Sequence, residues 1–195
     1  MRLDPDILQG RFVRLEPLTP ELRDDVRAAL DTDPDAWAIM VSNGGGEGFD
    51  GWWAEATGGM AAGMPTYAVR RLHDGMVVGT SGYHELYPEH RRVEIGSTFY
   101  RPDARSGAVN PECKRLLLGH AFEGGAHRVE LITDAINARS RAAIARLGAT
   151  EEGVLRRHKV TWTGRVRDTV MFSVTDEDWP RVRVGLERRL AAFSP

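Results

Sequence analysis

Cysteine is almost absent: Cys113 stands alone in 195 residues. A single thiol excludes an intramolecular disulfide and a cysteine-rich zinc site. The six histidines (His73, His84, His90, His120, His127 and His158) show no HExxH or similar spacing that would place two ligands on one helix face, so a metal site is set aside. No apolar run is long enough to cross a bilayer, and the opening Met-Arg-Leu-Asp-Pro-Asp lacks the apolar centre of a signal peptide. A net charge of -2 gives no general attraction to nucleic acid or to an anionic membrane, so any basic site must be local. The expectation is a soluble, cytoplasmic protein with neither partner. Repeats and linker-like tracts are also missing, and the length suits one domain, residues 1–195, with a continuous core.

What is present alternates between two periods. "GRFVRLEPL" sets Phe12, Val13 and Leu15 against Arg11, Arg14 and Glu16, which suits a first strand. "TPELRDDVRAAL" offers Thr19 as N-cap, Pro20 as first helical residue and Leu22, Val26 and Leu30 at helical spacing. One or two short helices follow, around Gly44 to Gly46 and an aromatic cluster of Trp37, Phe49, Trp52 and Trp53. "TYAVRRL" and "MVVGTSGYHEL" flank Asp74-Gly75, a hairpin signal. "RRVEIGSTFY" is the next strand, a helix runs from Pro111 to about Phe122, and Gly124-Gly125 end it. "HRVELIT" is a strand, "ARSRAAIARLGA" a helix stopped by Gly148, and "EEGVLRRHKVTW" with "RVRDTVMFSV" a closing pair around Thr163-Gly164. "DEDWPRVRVGLERRL" closes the chain as a helix. This order predicts an α/β fold with a mixed sheet.

One loop is stripped of bulk where a helix begins. In "RPDARSGAVNPECKRLLLGHAFE", Ala104, Ser106, Gly107 and Ala108 lead into Asn110, a favoured N-cap, and Pro111, a favoured first helical residue. The first amides of a helix lack intrahelical acceptors and carry partial positive charge, so small residues before them let an anion approach. An ordinary turn and capped helix would read the same way.

The order strand, Arg105-Ser-Gly-Ala-Val-Asn, helix, strand, then "NARSRAAIARLGATEEGVLR" resembles the GCN5-related N-acetyltransferase family, in its branch typified by RimJ/RimL-like ribosomal-protein-alanine N-acetyltransferases. The resemblance runs from "GRFVRLEPL" to "RDTVMFSVTDEDWP". It implies a mixed, mostly antiparallel sheet with splayed central strands and helices on both faces. It also implies acetyl-CoA as cosubstrate, no metal, and a homodimer as a family-like possibility. The family's pyrophosphate loop reads Gln/Arg-x-x-Gly-x-Gly/Ala. Arg105 fits its first place, Ala108 and Asn110 take the two small-residue places, and Gly107 sits one position early. The loop from Arg105 through Ser106, Gly107, Ala108 and Val109 to Asn110 is therefore expected to hold the cofactor, although Asn110 could cap an amide that would otherwise face it. The family's later motif matches Asn137, Ser140 and Arg146-Leu147-Gly148. Asn137 then faces the pantetheine arm and Ser140 the sulfur. Arg146 contacts phosphate or is a solvated charge, and Asn137 and Ser140 also suit helix capping. Thr98 and Phe99 are the backbone candidates beside the cofactor, and Gly96 would permit a bulge or close approach there.

Acetyl transfer from a thioester to an amine needs a group to take the amine's proton, a donor for the carbonyl oxygen and a proton for the leaving thiolate. Glu94 is the first candidate base; the other reading is a surface carboxylate paired with Arg91 or Arg92. His84 is the alternative base or an exposed hairpin-end residue. Ser140 is the candidate acid, by resemblance. Cys113 reads as a packed small side chain. Trp37, Trp52 and Trp53 wall an acceptor pocket or belong to the core, and Gly44 to Gly46 form a flap or a plain surface loop. Arg156, Arg157, His158 and Lys159 read as a solvated face. The expected acceptor is a primary amine, foremost a protein N-terminal alanine. The alternatives are a small amine (polyamine, amino acid or antibiotic) and a CoA-binding module without catalysis.

Overall fold

A computed structural model of the chain describes residues 1–194. Its strands are β1 (Leu8–Gln9), β2 (Val13–Pro17), β3 (Thr66–Arg71), β4 (Val77–Tyr87), β5 (Arg92–Tyr100), β6 (Arg128–Asp134), β7 (Thr150–Val160) and β8 (Val166–Thr175). They form one sheet in the order β1-β2-β3-β4-β5-β6-β8-β7, antiparallel at every junction except β5–β6. The helices are α1 (Arg23–Leu30), α2 (Pro34–Trp37), α3 (Phe49–Gly58), α4 (Val109–Glu123), α5 (Ala138–Ala145) and α6 (Trp179–Leu190). Strand alternation sends alternate residues to opposite faces. Val69 joins a core with Val109, Cys113 and Leu117 of α4 and Val182 and Leu186 of α6. Its neighbour Ala68 packs with Val26, Trp37, Phe49 and Trp52 of the first three helices. Helices thus cover both faces.

Three expectations need correction. The first strand is a hairpin, with Leu8–Gln9 paired to Arg14–Leu15. Glu112 explains it: the buried carboxylate accepts from the amides of Arg11, Phe12 and Val13 at 2.9, 2.6 and 2.8 Å. A Cβ on Gly10 would lie 2.3 Å from its Cδ, so only glycine lets that carboxylate approach. Thr19 makes no side-chain cap, and the turn Pro20–Leu22 is 3-10 before α1 starts at Arg23. The third correction falls on the site: α4 starts at Val109 with Ala108 at its N-cap, not at Asn110-Pro111. Pro111 is tolerated inside the first turn because its missing N–H had no intrahelical acceptor to lose.

The junction of β5 and β6 is short. Arg92, Val93 and Glu94 pair with Arg128, Val129 and Glu130, and the pairing stops. Beyond it β5 stays with β4 as far as Tyr100↔Gly79, and β6 stays with β8 as far as Asp134↔Thr169. The sheet therefore forks. On β5 the register jumps from Gly82↔Gly96 to Thr80↔Phe99, so Ser97 and Thr98 oppose Ser81 alone, with Ser97 at a φ of 46°. This bulge inverts the alternation: Val93 and Ile95 face the α4–α6 core, whereas Phe99, an even number of residues on, faces Trp37.

Candidate active site

The fork opens into a cavity of about 440 Å³, lined from one end by Arg105, Ser106, Gly107 and Asn110 and from the other by His84, Glu94 and Arg167. At the first end, Ser106 adopts a φ of 66° and turns the chain into α4. Among the described residues, the amides of Ser106, Gly107, Ala108, Val109 and Asn110 find no acceptor in the protein, and the first bonded amide is Glu112 to Ala108 O at 3.0 Å. Asn110 makes no cap, so it occupies none of these donors. A Cβ built on Gly107 meets nothing within 4 Å, which leaves the approach clear. Five free amides at a helix start suit a diphosphate. Ala108 and Val109 lie outside the cavity lining.

Arg105 is anchored rather than free. It donates to Tyr100 O at 2.8 Å and to Asp33 Oδ2 at 2.6 Å. Asp33 also caps α2 through the Ala36 amide at 3.3 Å, and the Arg105 hydrogen bond holds its carboxyl below the usual range. Trp37 at the end of α2 stacks on Phe99 with ring centroids 4.8 Å apart, and its carbonyl accepts from Trp162 Nε1 at 2.7 Å. The loop, α2 and the β5 bulge are thus tied together. Trp37 and Trp52 are buried at the cavity wall, whereas Trp53 packs on Phe49 away from it.

Along the fork, Asn137 caps α5 by accepting from the Ser140 amide at 3.0 Å, and Asn137, Ser140 and Arg146 all line the cavity. Across from them, Thr98 Oγ1 accepts from Lys114 Nζ at 2.7 Å, and Ser81 Oγ from the same ammonium at 2.9 Å. Lys114 is buried with no carboxylate partner among the described residues, and desolvation pushes its pKa down to about 8. It is not among the residues that the sequence motifs single out.

Glu94 sits where the fork begins. Neither Arg91 nor Arg92 pairs with it: Arg92 binds Glu130 at 2.8 Å, and Arg91 donates to Gly125 O at 2.6 Å. Glu94 is 8% exposed, and burial pushes its carboxyl up to about 7; Lys159 opposes that shift, Glu85 and Glu130 add to it, and Arg167 opposes it. Its cross-strand neighbour His84 is half-buried rather than an exposed hairpin end, and is bonded to Ser97 Oγ at 2.7 Å. Burial lowers the His84 pKa. A Cβ on Gly96 would lie 2.6 Å from His84 Cδ2 and 3.1 Å from Glu94 Oε1, so the bare backbone lets both side chains lie over the bulge. Lys159 also lines the cavity, a departure from its reading as part of a solvated face.

Residues 13–150 match the family described as "Acetyltransferase (GNAT) domain". The chain belongs to this acetyltransferase family. It is similar to the Bacillus subtilis protein named "Putative ribosomal N-acetyltransferase YdaF", with 30% identity over 109 residues, covering 55% of this chain and 58% of that one. The match thus spans under two thirds of that relative. A GCN5-related N-acetyltransferase from Brucella melitensis superposes with a TM-score of 0.88 at 29% identity, covering 97% of this chain and 87% of that one. Mycobacterium smegmatis RimJ, whose structure is a complex with CoA-disulfide, shares the fold at a TM-score of 0.80 and 22% identity, covering 96% and 95%. The α/β architecture with a forked, mostly antiparallel sheet is that of the acetyltransferase family. No group of three or more metal-ligating side chains gathers among the described residues, and no helix there is long and apolar enough to cross a membrane.

Proposed function

We propose that the chain transfers the acetyl group of acetyl-CoA to a primary amine, foremost the N-terminal alanine of a protein, by direct attack without a covalent enzyme intermediate. The observation that carries this reading is the alignment of two unsatisfied features along one cavity. A row of free amides at the start of α4 can grip a diphosphate, and an unpaired carboxyl with its pKa near neutrality sits at the fork.

Bound acetyl-CoA supplies the acetyl thioester. The amides from Ser106 to Asn110 hold its diphosphate, and the side chain of Asn137 with the backbone at Thr98 and Phe99 holds the amides of its pantetheine arm. Arg146, exposed at the end of α5, offers charge to a phosphate. Glu94 takes a proton from the amine, which gains the lone pair that attacks. A carboxyl near pH 7 is poised for this, being ionised often enough to act yet basic enough to accept. A backbone N–H of the bulge faces the oxygen that gains negative charge, and the Ser140 hydroxyl gives its proton to the thiolate. His84 orients the bulge through Ser97, and Trp37 and Trp52 wall the acceptor side.

Thiol release from acetyl-CoA, measured against peptides differing only at their first residue with polyamines alongside, tests this reading. Turnover favouring an N-terminal alanine is expected. Turnover confined to polyamines would replace the acceptor assignment, and CoA binding without turnover across the panel would favour a binding module.

A further inference from the structure

Arg167 of β8 is 7% exposed and lines the acceptor end of the cavity. Its Nε is buried without a partner, and no carboxylate lies within 4.0 Å of the guanidinium among the described residues. The acids nearest in charge are Asp134 and Glu94. Asp134 is already engaged, paired with Arg165 and accepting from the Ile136 amide at 3.2 Å. Glu94 and Arg167 feel each other across the cavity without closing an ion pair. An unpaired buried guanidinium is costly, and so is an unpaired buried carboxylate. A folding chain could cancel both costs by joining the two. A gap kept between opposite charges suits a ligand that bridges them.

We infer that Arg167 binds the carbonyl or carboxylate oxygen adjacent to the reacting amine, so that the acceptor is an α-amino carbonyl compound, such as a peptide N-terminus, rather than a carbonyl-free amine. The inference rests on the acetyl-transfer reading and refines its acceptor. In an α-amino carbonyl compound the nitrogen and oxygen lie roughly 3 Å apart, fixed by two intervening carbons. Glu94 can then receive the amine while the guanidinium fork receives the oxygen. A polyamine offers no acceptor atom, and its second ammonium would meet Arg167 and Lys159. The carboxylates that could welcome that ammonium, Glu55 and Glu85, sit exposed at the rim, where solvent screens them.

The test is calorimetric binding of alaninamide and of isopropylamine, in which a methyl group replaces the carboxamide, to the protein saturated with CoA. The wild-type protein should prefer alaninamide by about 10-fold or more, Arg167→Met should erase that preference, and Arg167→Lys should restore part of it. Affinity for CoA and thermal stability should be unchanged or, for the methionine variant, stability raised. Absence of a preference in the wild-type protein, equal weakening of both amines, or loss of CoA affinity in Arg167→Met would overturn the assignment. Thiol release from acetyl-CoA with the same two amines separates the readings. A preference without turnover contradicts acetyl transfer while leaving the oxygen-binding role standing, and turnover without a preference does the reverse.

Discussion

The two ends of the cavity are built from different materials. At the start of α4 the donors are main-chain amides, and the one charged side chain of that loop, Arg105, is held by Asp33 and Tyr100 O. At the fork the donors and acceptors are side chains: Glu94, His84, Lys159 and Arg167. Main-chain recognition tolerates substitution, because any residue supplies an N–H. The loop can therefore carry Ala108 and Asn110 where the family has smaller residues and still present its amides. Side-chain recognition does not tolerate substitution in that way. In the proposed reading, what the fork end selects depends on particular residues of this chain.

The contrast breaks most sharply at Glu94. Glu94→Gln should lower kcat by a factor of roughly 10² to 10⁴ while sparing CoA affinity, read by thiol release and by calorimetry. In the wild-type protein kcat should rise with pH and level off above about 7, as the buried carboxyl ionises. Stability should move the other way. The folded carboxyl keeps its proton between the ordinary value of 4.5 and about 7, whereas the unfolded one has lost it. Stability therefore falls across that window, by about 3 kcal/mol at roughly 1.4 kcal/mol per unit. The glutamine variant should lose that slope in denaturant titrations. A kcat unchanged across pH in both proteins would remove Glu94 from the base role.

Glu112 provides the control, a second buried carboxylate with no part in the chemistry. Glu112→Ala strands three amides of the β1–β2 hairpin and should cost about 3 kcal/mol of stability in urea titrations. At temperatures where the variant stays folded, its kcat should stay near that of the wild-type protein. Gly107→Leu tests the other end. The added side chain enters open space in front of the amides, so CoA should bind roughly 10-fold more weakly, with stability within about 0.5 kcal/mol. The smallest effect is expected at Asp33. Asp33→Ala removes a half-buried ion pair and a helix cap, for about 1 kcal/mol of stability and a few-fold rise in KM for both substrates.

The sequence carried the sheet well because alternation and turn residues are local. Asp74-Gly75 closes β3 to β4, and Gly164 closes β7 to β8. Leu8–Gln9 leaves no sequence signal because a two-residue strand has no period, and what pins its hairpin is a carboxylate 100 residues away in sequence. α4 starts two residues before the position that its capping residues predict, for a related reason. Asn110 and Pro111 are good capping residues, but the turn set by Ser106 had already aligned the chain into the helix at Ala108. Lys114 left a readable trace. It shares a helical stripe with Leu117, Leu118 and Ala121, where a lysine is out of place. Arg167 left one as well, in phase with Thr169 and Ser173 on a strand whose other face is Val170, Phe172 and Val174. That neither charge has a carboxylate partner among the described residues became visible only in three dimensions, because pairing depends on residues distant in sequence such as Asp134, which Arg165 already holds.

A crystal structure of the protein with bound CoA tests the account most directly. The account predicts diphosphate oxygens within hydrogen-bonding distance of the amides between Ser106 and Asn110, with the sulfur in the fork between the β5 bulge and Ser140. CoA lodged elsewhere, or a diphosphate held by side chains with those amides left free, would contradict it.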